Sequence, residues 1–137
     1  MQLQCKTDIS AAAKPRVFDF WTTEAKRALW EDDLEKFTID GAIQTGSKGK
    51  LKLQGKPEMG FTIVQAIAGQ AYDERYELPF GTLVFSHRFL TEDGKSWISH
   101  SVKLEKAALT ESDLGFVCGI FADFPMTLLR LKKLLEA

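Results

Sequence analysis

Leu83-Val84-Phe85-Ser86-His87-Arg88-Phe89-Leu90-Thr91-Glu92-Asp93-Gly94-Lys95-Ser96-Trp97-Ile98-Ser99-His100-Ser101-Val102-Lys103-Leu104 alternates apolar and polar residues on both sides of Asp93-Gly94. Asp-Gly between two alternating runs signals a two-residue hairpin turn, because both central residues of that turn need positive φ. With Glu92 opposite Lys95, one face carries Leu83 and Leu104, Phe85 and Val102, His87 and His100, and Phe89 and Ile98. The other face carries Ser86, Arg88, Ser99, Ser101 and Lys103. A slip of one residue would set Phe85 against Ser101 and Leu83 against Lys103, so burial selects the first register. The two histidines of the chain then stand side by side on the inward face, their Cβ atoms about 5 Å apart.

Working outward, residues 71–78 form the preceding strand, with Tyr72, Glu74, Tyr76 and Leu78 on one parity, broken by Pro79-Phe80-Gly81. A turn there that sets Leu78 opposite Leu83 sets Glu74 opposite His87. Strands are also predicted over residues 2–9, from about Leu34, over residues 50–53, and from Met59 to near Ala68-Gly69. After the first strand, Pro15 suits the first turn of a helix with Val17, Phe18 and Trp21 on one face, and Thr22 or Thr23 can cap a second short helix to about Leu29. Gly41, Gly46, Gly49 and Gly55 read as bends and turns and match no nucleotide-binding loop. From about Thr110 the period turns helical, with Leu114, Val117, Phe121, Phe124, Leu128, Leu131 and Leu135 in one stripe that Pro125 should kink or split. Arg130, Lys132 and Lys133 read as a solvated face of the last turns. Hairpin-linked strands with helices at the ends make an α+β chain with an antiparallel sheet, in one domain over residues 1–137.

Composition excludes several classes. The chain has 137 residues and a net charge of −1, without the basic excess that a nucleic-acid binder shows. No stretch reads as the roughly 20 apolar residues of a membrane helix, no exposed apolar patch is apparent, and the first residues show no signal-peptide pattern. Cys5 and Cys118 are too few for a disulfide framework, which leads us to expect a reducing cytoplasm and two cysteines packed as small hydrophobes.

The order of elements resembles the START-like (SRPBCC) superfamily, and within it the polyketide cyclase/dehydrase and lipid-transport family. The resemblance rests on Ile9 through Val17-Phe18, on Trp30 before the second strand, and on Gly41 followed by Gly46 and Gly49. It rests also on Phe85-Ser86-His87-Arg88-Phe89 and on Leu128 to Leu135, and it spans nearly the whole chain. It implies a helix-grip fold: a curved seven-stranded antiparallel sheet around a long C-terminal helix, with two short helices after the first strand. The chain departs from the family where a Gly-Pro break often follows the last strand, since Leu104-Glu105-Lys106-Ala107-Ala108 stands there. The Rieske and iron-site residues of the oxygenase branch are missing, and no cofactor or metal is expected.

The histidine pair admits three readings: core histidines satisfied by neighbours, a polar anchor for a ligand in a greasy cavity, or an acid/base or metal site. The last needs a carboxylate, and Glu74 is the candidate; the plainer expectation sets Glu74 at the rim, solvated or paired with Arg75 or Arg88. Trp21, Trp30, Phe37, Phe61, Tyr72, Tyr76, Phe85, Phe89, Phe121 and Phe124 either line a cavity or fill a core, with Phe61, Tyr72, Tyr76, Phe85, Phe89, Phe121 and Phe124 the candidate ligand contacts and Met59 and Met126 adaptable liners. The leading expectation is binding of a small hydrophobic or amphipathic molecule (a lipid, isoprenoid or aromatic polyketide) between sheet and last helix. The alternatives are a cyclase or dehydratase using His87 or His100 for proton transfer, and a protein-interaction module of the co-chaperone kind.

Overall fold

The computed structural model describes residues 1–137. Strands β1 (Gln2–Ile9), β2 (Leu34–Ile39), β3 (Lys48–Leu53), β4 (Met59–Ile67), β5 (Ala71–Leu78), β6 (Gly81–Glu92) and β7 (Lys95–Glu105) form one antiparallel sheet. Its order is β1-β7-β6-β5-β4-β3-β2, so six strands run as a meander and β1 closes onto β7. Bulges between Leu34 and Lys36 and between Ile63 and Gln65 interrupt the ladders, and such bulges bend a strand and increase its twist. Helices α1 (Lys14–Thr22) and α2 (Glu24–Arg27) follow β1, and α3 (Glu111–Phe121) and α4 (Phe124–Glu136) end the chain. This is the expected helix-grip architecture.

The β6–β7 hairpin has the predicted register, with His87 opposite His100, Phe85 opposite Val102 and Leu83 opposite Leu104. Asp93 and Gly94 both have positive φ, as a two-residue turn requires. The β5–β6 register differs from expectation by two residues. Leu78 faces Gly81, Tyr72 faces His87 and Glu74 faces Phe85. The turn at Pro79-Phe80 is tighter than supposed, and a shift of two leaves every side chain on its predicted face. Ser99 and Ser101 face outward yet are buried, being short side chains on a strand flanked by β1 and β6.

The last helix is split, as Pro125 foretold. The chain turns at Ala122-Asp123, and Pro125 lies in the first turn of α4. In place of a Gly-Pro break, Thr110 and Asp113 form a reciprocal capping box, and Lys106 pairs with Asp113. Val117, Leu128, Leu131 and Leu135 are buried, with α4 packed on β1 and β7. The end of α4 is tied down by Lys132 to Asp8 and Arg130 to Asp32, each at 3.1 Å, and by the Arg16 guanidinium on the Leu135 carbonyl.

The stripe is not buried throughout, because α3 is held to the sheet on only one side. Leu114, Phe116, Met126 and Leu129 are exposed, and Cys118, expected to pack, is exposed as well. Phe80, also exposed, meets Phe116 edge-on at 5.0 Å. An exposed apolar surface thus runs along the helix pair, contrary to expectation. The span Glu111–Glu136 is by length and composition apolar enough to cross a membrane. The sequence reading missed this because Asp123 and Pro125 interrupt the run.

Gly49 on β3 is required for close packing. A Cβ there would stand 2.3 Å from the Phe61 ring and 2.5 Å from the Thr38 carbonyl oxygen, while Phe61 stacks on Phe37 at 5.5 Å. Gly49→Ala is expected to lower stability by roughly 1–3 kcal/mol, as overpacking does. Urea unfolding measures it, and an unchanged midpoint would contradict this packing.

Candidate functional site

A cavity of about 680 Å3 lies between the sheet and α3. Its wall is built by the inward parity of β5, β6 and β7, by α2 and the residues after it, and by the inner face of α3. Of the ten residues proposed from sequence, His87, His100, Phe85, Tyr76, Glu74 and Phe124 border it. The other four lie behind the wall: Tyr72 and Phe89 are buried in the core, Phe61 packs between Phe37 and Tyr76, and Phe121 packs on Phe124. Met59 borders the cavity, whereas Met126 points outward and is 55% exposed.

Trp30, one of the aromatic residues considered from sequence, borders the cavity, whereas sequence reasoning missed Arg27 and Glu31, which border it too and stand four residues apart on one helical face. Arg27 reaches inward and donates to Glu31 through Nε at 3.0 Å and to the Trp21 carbonyl at 3.2 Å. Its two terminal nitrogens grip the Glu74 carboxylate, one of them at 3.2 Å. Tyr72 and Tyr76, two positions either side of Glu74 and therefore on the same face, donate their hydroxyls to it at 2.8 and 2.9 Å.

Glu74 is therefore fully buried and receives four hydrogen bonds, contrary to the expectation of a solvated rim carboxylate paired with Arg75 or Arg88. Arg75 instead pairs with Glu77, and Arg88 with Asp73 on the outer face. With its oxygens so engaged, Glu74 is not free to join the histidines as a ligand or proton carrier. Burial opposes the charge on Arg27, and the carboxylates of Glu31 and Glu74 outweigh it and hold the guanidinium charged. Burial raises the Glu31 carboxyl above its usual range against the pull of Arg27. Burial, reinforced by Glu74, keeps both tyrosines protonated.

The histidines lie beside this network. Their rings meet edge-on at 4.9 Å, Trp30 lies against His100 at 5.1 Å, and Trp21 lies 5.8 Å from His87. His87 Nδ1 is 2.8 Å from the Tyr72 carbonyl oxygen. A carbonyl only accepts, so Nδ1 carries the proton and Nε2 of the neutral ring is an acceptor. Burial, helped by the nearby Arg27 charge, pushes the His87 pKa down to about 3, and burial and His87 push His100 well down. The His100 Nε2 and the Trp21 Nε1 are buried with no hydrogen-bond partner in the chain. Trp30, by contrast, donates to the Phe20 carbonyl at 2.8 Å.

Several solved structures share this architecture over nearly the whole chain. The Aha1 dimer from Colwellia psychrerythraea is 17% identical over 99% of this chain and 96% of its own, with a TM-score of 0.72. Protein MLL2253 from Mesorhizobium loti is 9% identical over 99% and 97%, at 0.75, and Ara h 8.0201 is 14% identical over 99% and 97%, at 0.69. At such identities the likeness is one of fold. No protein-family profile and no curated protein sequence matches the chain.

Two predictions follow from these buried titratable groups. Arg27→Met or Glu74→Leu alone should each cost several kcal/mol, about 3–5 where a buried charge is left unpaired, and the double variant should recover much of the loss. Equal additive losses in a double-mutant cycle would deny the pair. The second concerns acid. Unfolded imidazoles titrate near 6.5, and the folded ones stay neutral far below it. From about pH 6 downward the unfolded chain binds protons that the folded chain refuses, so stability falls by about 1.4 kcal/mol per pH unit per histidine. Glu31 acts with the opposite sign and remains in a His87→Gln, His100→Gln variant. Comparing denaturant midpoints of the two proteins at pH 7 and pH 4.5 therefore isolates the imidazoles, and the variant should show the flatter profile.

Proposed function

We propose that this protein binds a small hydrophobic or amphipathic molecule in the cavity between the sheet and the C-terminal helices. The observation that carries the reading is a cavity of about 680 Å3 with Leu83, Phe85, Ile120 and Phe124 on its wall and two buried imidazoles at its inner surface. That volume is in the range of small-molecule sites, in which apolar walls supply affinity and a few polar groups fix orientation. A lipid, isoprenoid or aromatic polyketide fits this description. Imidazoles kept neutral so far into the acid range are poor proton donors at neutral pH, which supports binding over the cyclase or dehydratase alternative.

The wall also supplies a test that leaves the fold intact. Gly115 and Gly119 on α3 border the cavity, and no atom lies within 4 Å of a Cβ built at either. Glycine inside a helix is worse than most residues by roughly 0.5–1 kcal/mol. Gly119→Leu should therefore hold or raise the melting temperature while reducing cavity volume and weakening ligand binding at least several-fold. Native mass spectrometry of protein from its own host, before and after organic extraction, should show a discrete extra mass that extraction removes, reduced in Gly119→Leu. Retention of full binding by that variant, and by Phe85→Ala, would refute the site.

A further inference from the structure

The polar groups around the histidine pair select among ligands, an argument that rests on the ligand-binding reading above. His87 donates Nδ1–H to the Tyr72 carbonyl, so its Nε2 is an acceptor, and no group of the chain donates to it. His100 is 4% exposed; its Nε2 is sealed off without a partner, which leaves Nδ1 as the ring nitrogen that meets the cavity. Neither His100 ring nitrogen bonds to the chain through a side-chain hydrogen bond, so whichever carries the proton lacks an acceptor. The pair thus presents one unfilled acceptor and one unfilled donor, 4.9 Å apart by ring centres, on the wall of a mainly apolar space. Leaving such groups unfilled is unfavourable, and a ligand atom that satisfies both removes the penalty.

We propose that the ligand's buried polar end is an uncharged hydroxyl, donating its proton to His87 Nε2 and accepting from the His100 N–H. A carboxylate or phosphate ester anion only accepts and leaves His87 Nε2 unfilled. An ammonium only donates and leaves the His100 donor unfilled. The charges at the cavity point the same way against anions. Glu31, Asp33, Glu74 and Asp123 border it against Arg27 and Lys56. Arg27 is committed to Glu31, Glu74 and the Trp21 carbonyl, and Lys56 lies in solvent. No cation is free to hold an anionic head in the interior.

Isothermal titration calorimetry at pH 7.5 with four probes of one shape tests this: naphthalene, 2-naphthol, 2-naphthoate and 2-naphthylmethylammonium. 2-Naphthol should bind about tenfold more tightly than naphthalene, the naphthoate or the ammonium. In His87→Phe that preference should vanish while naphthalene still binds. Long-range 1H–15N spectra of the wild-type protein need no variant: His87 Nε2 should resonate as an unprotonated nitrogen and shift with 2-naphthol but not with naphthalene. Equal or tighter binding of naphthoate or the ammonium, a naphthol preference that survives in His87→Phe, or an unmoved Nε2 would overturn the inference and leave the cavity reading standing. Failure of all four probes, naphthalene included, would overturn the cavity reading and this inference with it.

Discussion

The grip of Arg27 on Glu74 joins the two layers of this protein. Arg27 sits at the end of a helix of only four residues, far too short to hold itself together in water. Glu74 sits in the middle of β5, with Tyr72 and Tyr76 as its flanking donors. Putting these charges in the interior is unfavourable taken singly, and each becomes tolerable because the other and the two tyrosines satisfy it. The geometry admits one arrangement: the guanidinium must also meet Glu31 and the Trp21 carbonyl, which sets α2 at a fixed height over the sheet. Trp30, three residues on, is thereby laid against His100, closing one end of the cavity.

The opposite wall is made differently. Helices α3 and α4 are anchored where leucines and valine meet β1 and β7, and the helical ladder is interrupted at Ala122-Asp123 just before Pro125. With glycine at positions 115 and 119, α3 approaches the cavity as bare backbone, so space survives where a leucine pair would have filled it. Not every apolar position of α3 finds a neighbour to cover it: Leu114 is exposed although its spacing is that of the core stripe.

How far the chain could be read beforehand differs from element to element. The β6–β7 hairpin was legible to the residue, because Asp93-Gly94 fixes the turn and alternation fixes the faces. The parity of β5 was legible, and its register was not, since Pro79-Phe80 constrains the turn length only loosely. Glu74 was found as a candidate on the correct face. Its buried state was not foreseeable, because its partner lies 47 residues away on a four-residue helix whose sequence, Glu24-Ala25-Lys26-Arg27, looks like any solvated turn. The exposure of Cys118 and Leu114 was likewise hidden, since a stripe records spacing and not whether a partner exists to cover it.

By itself, then, the sequence determined the order of strands and helices, the antiparallel class, the hairpin register and the pairing of the two histidines, all of which rest on interactions between residues near in the chain or on strict two-residue alternation. Only the tertiary structure decided which carboxylate is buried, which arginine neutralises it, and how much room remains beside the imidazoles. Those outcomes depend on where a short helix docks and which face a long one lays on the sheet. Both are set by the summed packing of distant side chains, which leaves no local signature in the order of amino acids.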